Sequence, residues 1–148
     1  MGDPTTPDAA APVLPFFVYG TLRAGQANHD RVLRGRVATP RPAELPGAVL
    51  FDGPGYPYAL DGAAADTVRG ELVEALPGAY DAVLADLDRL EEYVPGAPGN
   101  LYDRVTREVR CGGALRPAWV YLAGPVTAAA LRANGRRIAS GHWPAGGG

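Results

Sequence analysis

A single carboxylate, Glu91, stands where the sequence otherwise places apolar side chains. It lies near the end of residues 80–92, whose periodicity predicts an amphipathic helix. At about 100° per residue, Glu91 falls within roughly 20° of Leu84 on that helix. The other members of this arc are Tyr80, Val83, Leu87 and Leu90. An ionised carboxylate buried without partners costs on the order of several kcal/mol. Glu91 is therefore expected to be paired, neutral or active in proton transfer.

The less specific interpretation of Glu91 is a structural carboxylate. In that case it reaches solvent at the helix end or pairs with an arginine such as Arg104. Asp88 and Glu92 are expected to be solvated helix charges, and Glu92 points away from the apolar arc. Tyr102 follows a Pro/Gly-rich break and either returns to the Glu91 side of the fold or is a half-buried strand tyrosine.

A second candidate element is the junction at residues 19–25, directly after the apolar run 16–19. A glycine at this place, Gly20, lets the backbone turn sharply and lets a ligand approach closely. Consecutive free amides at Gly20, Thr21 and Leu22 could bind a carboxylate or a developing oxyanion. The alternative is an ordinary strand end.

Composition excludes several classes of chemistry. The chain has 148 residues, a formal net charge of −2, and no lysine among its 14 basic residues. A Schiff-base or phosphate-loop lysine is thus excluded, and the single serine, Ser140, forms no nucleophile elbow. Cys111, His29 and His142 show neither metal spacing nor triad spacing. No metal or other cofactor, nucleic acid or membrane partner is expected, and a cytoplasmic protein is the simplest interpretation.

The order of elements predicts one mixed α+β domain over 16–143. Residues 1–15 and 144–148 are expected to be tails, the first of them disordered. Strands are predicted at 16–19, twice within 35–52, and at 67–75, 101–110 and 117–123. Three helices are predicted: a short one capped by Asn28 that runs through Leu33, the Glu91 helix after Gly78, and a last one over 125–131. Gly112 and Gly113 predict a hairpin turn. Short connections favour a mostly antiparallel, barrel-like closed sheet.

Taken together, these elements resemble the γ-glutamylcyclotransferase-like superfamily, in particular its AIG2-like, γ-glutamylamine cyclotransferase branch. Residues 18–29, VYGTLRAGQANH, are similar to its opening signature. Residues 87–91, LDRLE, followed by YDR at 102–104, resemble its second signature, and VYL at 120–122 fits a late strand. The resemblance covers about residues 16–143 and implies a compact mixed unit built on a small barrel-like sheet.

The resemblance also implies a reaction and roles for named residues. The family, assigned to the transferases or lyases, cleaves a γ-glutamyl amide by attack of the substrate's own α-amino group, which releases 5-oxoproline and a free amine or amino acid. By this likeness Glu91 is the catalytic general acid/base. Substrate-binding residues are then Tyr19, Gly20, Thr21, Leu22 and Tyr102. Glu92 replaces the glycine that commonly follows the catalytic glutamate, and it adds a second negative charge.

Two rival functions stay open on the sequence. One is a non-catalytic module that binds a small ligand in the same pocket, and the other is an unrelated hydrolase using Cys111 or His142. The identity of the leaving amine and the oligomeric state are also open. The Pro-, Gly- and Tyr-containing loops at 53–57 and 94–100 carry little charge, which favours an apolar or extended leaving group.

Overall fold

The computed structural model describes residues 13–143. Residues 1–12 and 144–148, which fall within the two predicted tails, lie outside the described residues. The elements are β1 (Phe16–Val18), a single π-helical turn (His29–Leu33), β2 (Arg41–Pro46), β3 (Ala48–Phe51), β4 (Tyr58–Asp61), β5 (Thr67–Val73), α1 (Tyr80–Leu90), β6 (Tyr102–Cys111), β7 (Ala114–Ala123) and α2 (Pro125–Asn134). Within 13–143 no helix is long and apolar enough to cross a bilayer.

Five strands close into a barrel in the order β1-β5-β2-β6-β7. All neighbours are antiparallel except β1 and β7, which pair in parallel where Phe16 lies opposite Trp119. The long β6–β7 hairpin turns at Gly112 and Gly113, whose positive φ angles of 61° and 84° suit glycine. The predicted α+β domain with a mostly antiparallel, barrel-like sheet is thereby confirmed.

The strand β4 is an element that sequence analysis missed. It pairs with β3 in a separate two-stranded sheet, with Phe51 opposite Tyr58. Only four residues long, it follows directly on the Pro/Gly-rich loop 53–57, and so short a run gives little period-2 signal. The loop that precedes β4 forms one wall of a pocket at the end of the barrel.

Alternation along β1 divides the core into two clusters. Phe16 and Val18 face a cluster that includes Val83 and Leu87 of α1, both fully buried. On the other side, Phe17 packs into a cluster built mainly from barrel strands, with Leu45, Val68, Leu72, Val109 and Val120 among its members. The first cluster fixes α1 against the barrel and thereby fixes the position of its C-terminal end.

The barrel brings the ends of three strands together. Since β1 and β7 run in parallel from Phe16 and Trp119, residues a little further along each, Tyr19 and Tyr121, reach the same end of the barrel. The antiparallel partner β6 starts at this end with Tyr102, opposite Ala123. Segments leaving or entering the barrel here are well placed to build a site.

Candidate active site

A pocket of about 410 Å³ lies at this end of the barrel, against the C-terminal end of α1. Its lining residues are Phe17, Tyr19, Gly20, Thr21, Ala27, Asn28, Gly55, Tyr56, Pro57, Leu90, Glu91, Glu92, Leu101, Tyr102 and Tyr121. Five of the six residues singled out from the sequence thus meet around one cavity. The exception is Leu22, which is buried in the core beside the pocket. Among residues 13–143, no arginine lines this pocket.

Glu91 is the residue at which α1 stops. The helix ends at Leu90, two residues earlier than the predicted helix through residue 92. The N–H of Tyr93 donates to the carbonyl of Asp88 at 2.8 Å, and the N–H of Glu92 donates to the carbonyl of Arg89 at 3.1 Å. This pair of hydrogen bonds is the Schellman termination, which requires a left-handed residue just beyond the helix. Glu92 is that residue, with φ of 55°.

Burial makes Glu91 a weak acid. Removal from water raises the pKa of its carboxyl from 4.5 to about 7. The partial negative charge at the C-terminal end of α1 acts in the same direction. Within residues 13–143 its carboxylate has no hydrogen bond and no ion pair. The alternative partner considered from the sequence, Arg104, instead binds Asp88, with Nε to Oδ1 at 2.8 Å.

Tyr102 forms part of the aromatic wall of the pocket. Its hydroxyl donates to the carbonyl of Pro57 at 2.6 Å, and its ring stacks on that of Tyr58 with a centroid separation of 4.7 Å. Tyr56 lies edge-on to Tyr58 at 5.7 Å. Burial raises the pKa of Tyr102 and brings that of Tyr58 to about 12, with the Glu91 carboxylate adding to both shifts. These hydroxyls therefore stay protonated at neutral pH.

Tyr19 ties the end of β1 to the neighbouring strands. Its hydroxyl donates to the carbonyl of Tyr121 at 2.5 Å and accepts from the N–H of Ala59 at 3.2 Å. Burial, reinforced by the charge of Glu91, raises the pKa of Tyr19. A buried phenol with both partners satisfied is a rigid structural element. It holds the first residue of the following loop in place.

The loop after Tyr19 presents unpaired backbone donors. The N–H groups of Gly20, Thr21 and Leu22 have no acceptor among the described residues, and consecutive free N–H groups of this kind can bind an anion. Gly20 lies so close to Pro57 that an added Cβ would sit 2.8 Å from its ring. Glycine is needed here for close approach, since only a residue without a side chain fits between the two pocket walls.

Asn28 is a pocket residue whose role sequence reasoning placed elsewhere. It was expected to cap the helix through Leu33, but its side chain makes no capping hydrogen bond to the π-helical turn. Instead its Nδ2 donates to Oγ1 of Thr21 at 2.8 Å, and its N–H donates to the Thr21 carbonyl at the same distance. The side chain thereby pins the loop. The residue type that favours caps also favours such local loop bonds.

The expectation that Asp88 is a solvated helix charge was wrong. Its Oδ1 accepts from the hydroxyl of Tyr121 at 2.5 Å and from Nε of Arg104 at 2.8 Å, and the side chain is 22% exposed. The guanidinium of Arg104 lies over the rings of Trp119 and Tyr93, at 4.3 and 5.3 Å from their centroids. One signal in the sequence was available. Asp88 precedes Glu91 by three residues, a spacing that makes two side chains neighbours on a helix surface.

The remaining reactive residues lie outside the pocket that holds Glu91. Sγ of Cys111 contacts the carbonyl of Pro42 at 3.5 Å, and Nε2 of His142 is 3.3 Å from Nη1 of Arg23. Nδ1 of His29 is 3.0 Å from the carbonyl of Leu22. In the part of the chain described, no three Asp, Glu, His or Cys side chains cluster closely enough to hold a metal ion.

Comparison with known proteins points to one family. A family model described as γ-glutamyl cyclotransferase, AIG2-like, matches residues 16–145. The γ-L-glutamyl-butirosin B γ-glutamyl cyclotransferase of Niallia circulans is 36% identical over 108 residues, which are 72% of this chain. The aligned part spans 65% of that relative's length.

Solved structures share the fold. An AIG2-like protein from Mus musculus superposes with a TM-score of 0.57 at 26% identity, covering 74% of this chain and 76% of the mouse chain. A protein from Pyrococcus horikoshii superposes with a TM-score of 0.59 over 88% of this chain and 89% of its own, at 22% identity. The second likeness is one of fold alone.

Proposed function

The chain belongs to the γ-glutamyl cyclotransferase, AIG2-like family, and we propose that it cleaves a γ-glutamyl amide by ring closure within the substrate. The α-amino nitrogen attacks the γ-carbonyl carbon, a tetrahedral oxyanion forms, and the original amide C–N bond breaks. The products are 5-oxoproline and a free amine or amino acid, with no water consumed. The observation that carries the proposal is the isolated Glu91 carboxylate, with a pKa of about 7, in a pocket beside free backbone amides.

Glu91 is the proposed general acid/base. An ammonium has no lone pair, so the α-amino group must lose a proton before it can attack. A carboxylate with a pKa near 7 is ionised to a useful extent at neutral pH and is a much better base than an exposed glutamate. After attack, the same group returns a proton to the departing nitrogen. One residue thus serves both proton transfers, and the protein supplies no covalent nucleophile.

The loop at 20–22 is the proposed anion site. Three consecutive N–H groups without internal partners can bind the substrate's α-carboxylate or the oxyanion that develops on the γ-carbonyl oxygen. Their position is fixed from both sides, by the Tyr19 hydroxyl bonds and by the Asn28–Thr21 bonds. Fixed dipoles stabilise charge without reorganising during the reaction, and ring closure profits from tight orientation.

The leaving group is the part of the substrate on which the relatives give least guidance. The relative from Niallia circulans acts, by its name, on γ-L-glutamyl-butirosin B. For this chain we propose a substrate with the same γ-glutamyl amide group, and we do not propose the butirosin part. Leu101, Tyr56 and Glu92 line the pocket together with the catalytic elements and are the proposed contacts for the amine.

A panel of substrates tests the proposal. Purified protein is incubated with γ-glutamyl amines, γ-glutamyl dipeptides and glutathione, and 5-oxoproline is measured by mass spectrometry. Turnover of at least one γ-glutamyl amide, with 5-oxoproline and free amine in equal amounts, supports it. Saturable binding of γ-glutamyl ligands or 5-oxoproline without any consumption would instead assign the pocket to a non-catalytic binding module.

A further inference from the structure

Three tyrosine hydroxyls at the pocket already donate their single proton in a hydrogen bond to another protein group. Tyr19 donates to the carbonyl of Tyr121 at 2.5 Å, Tyr102 donates to the carbonyl of Pro57 at 2.6 Å, and Tyr121 donates to Oδ1 of Asp88 at 2.5 Å. A phenol has one O–H donor and two acceptor lone pairs. Toward a bound ligand, each of these hydroxyls therefore offers an acceptor only.

The hydroxyls of Tyr19 and Tyr102 each donate to a backbone carbonyl, which can only accept a hydrogen bond. Tyr121 differs because its partner is a side chain. The same oxygen of Asp88 also accepts from Nε of Arg104 at 2.8 Å, so it acts toward Tyr121 as an acceptor. Burial and the bond to Asp88 both raise the pKa of Tyr121, in agreement with a proton held on the phenol.

The lining therefore has a polarity that a ligand must match. Glu91, Tyr102 and Tyr121 are hydrogen-bond acceptors, whereas the unpaired N–H groups of Gly20 and Thr21 are donors. A γ-glutamyl group has complementary ends, because its α-ammonium or amine donates and its carboxylate and carbonyl oxygens accept. The Tyr19 hydroxyl is less available than the others, since it already accepts from the N–H of Ala59 at 3.2 Å.

We propose that Tyr121, oriented by Asp88, accepts a hydrogen bond from the substrate's α-amino group beside Glu91. This inference rests on the proposed function for the choice of ligand. The attacking nitrogen must aim its lone pair at the γ-carbonyl carbon, and its N–H bonds then need acceptors on the protein. Glu91 takes one proton and Tyr121 holds another N–H in place. Asp88 acts through Tyr121 and is a positioning residue.

The test uses two ligands that differ only in the amine. They are γ-glutamylethylamide and its analogue without the α-amino group, the N-ethyl monoamide of glutaric acid. Binding is measured by calorimetry on Glu91→Gln protein, which keeps the ligands intact whether or not the wild type turns them over. Tyr121→Phe keeps the ring, and Tyr80→Phe, on a phenol outside the pocket lining, is the matched control.

Tyr121→Phe is expected to weaken binding of the amine-bearing ligand about three- to tenfold, the range for one hydrogen bond, and to leave the analogue unchanged. Asp88→Ala is expected to reproduce this selective loss, and Asp88→Ala with Tyr121→Phe together should lose no more than Tyr121→Phe alone. Equal loss for both ligands, or no loss for either, overturns the inference. Because binding is the readout, absence of turnover by the wild type would count against the proposed function only.

Discussion

Glu91 and Glu92 are consecutive residues with opposite surroundings. Glu91 closes α1 with φ of −85° and lies largely buried in the pocket, whereas Glu92 adopts φ of 55° and is exposed at the pocket's edge. The backbone changes from a negative φ at Glu91 to the left-handed conformation at Glu92. This change ends the helix and leaves the Glu91 side chain in the pocket. A backbone turn thus decides which of the two acidic side chains lies in the pocket.

The acid limb of the rate profile is expected near pH 7. Glu91 must be ionised to take a proton, and burial raises its pKa from 4.5 to about 7. The value of kcat/KM for a γ-glutamyl amide should therefore rise with pH through about 7 and then level off. Initial rates of 5-oxoproline release between pH 4 and 9 provide the measurement. A limb near pH 4.5 would show that the base is an ordinary exposed carboxylate.

The same burial makes Glu91 a cost to stability at neutral pH. Its folded pKa lies above its unfolded value, so the unfolded state loses this proton first as pH rises. Stability from this group is complete below about pH 4.5 and is lost as pH rises through about 7. Glu91→Gln is expected to stabilise the protein by about 1–3 kcal/mol at pH 8 and by little at pH 4. Urea unfolding of both proteins at the two pH values checks this, and an equal difference at both would contradict it.

Glycine is expected to be the better residue at position 92 for stability. A non-glycine residue in the left-handed region, such as Glu92, costs about 1–2 kcal/mol. Replacement by glycine removes this cost, and the greater conformational entropy of glycine in the unfolded chain offsets only part of the gain. Glu92→Gly should raise the free energy of unfolding by about 1 kcal/mol. Glu92→Ala, which removes the same charge but keeps the backbone penalty, is the control and should change it little. If the two variants were equally stabilised, repulsion between carboxylates would be the cause.

Gly20→Ala is expected to damage the site through Pro57. The new Cβ would lie 2.8 Å from the proline ring, so the loop at 20–22 and the segment that holds the Tyr102 hydroxyl must move apart. A displacement of about 1 Å in such a site can lower the rate about a hundredfold. Gly99→Ala, where nothing lies within 4 Å of the added Cβ, is the matched control. Equal kcat/KM values for the two variants would mean that the loop does not position the substrate.

Much of the fold followed from local signals in the sequence. The alternation in β6 and β7, the Gly112–Gly113 turn and the apolar arc of α1 each reflect short-range geometry. The closed barrel followed from the number of strands and their short connections. The strand β4 could not be found in this way, because its four residues pair with β3 only after the loop at 53–57 has folded back.

Residues of the candidate site could be predicted where their type is unusual for their position in a helix or after a strand. Glu91 stood out because it lies in an apolar arc, and Gly20 because it follows a buried strand. Asp88 did not, since its partners, Tyr121 and Arg104, lie 33 and 16 residues away in sequence. Their contact depends on the register of β6 with β7 and on how α1 packs against both. Such long-range pairs leave no periodic trace.

The role of Glu91 is tested most directly by the turnover of Glu91→Gln. The substitution is nearly isosteric and removes only the ability to carry a proton. Release of 5-oxoproline from a γ-glutamyl amide that the wild type cleaves is compared among wild type, Glu91→Gln, Glu92→Gln and the exposed-site control Glu108→Gln. Glu91→Gln is expected to lose activity about a hundredfold or more while the other two stay within a few-fold of wild type. Retained turnover in Glu91→Gln, or a comparable loss in Glu92→Gln, would contradict the assignment of the proton transfer to Glu91.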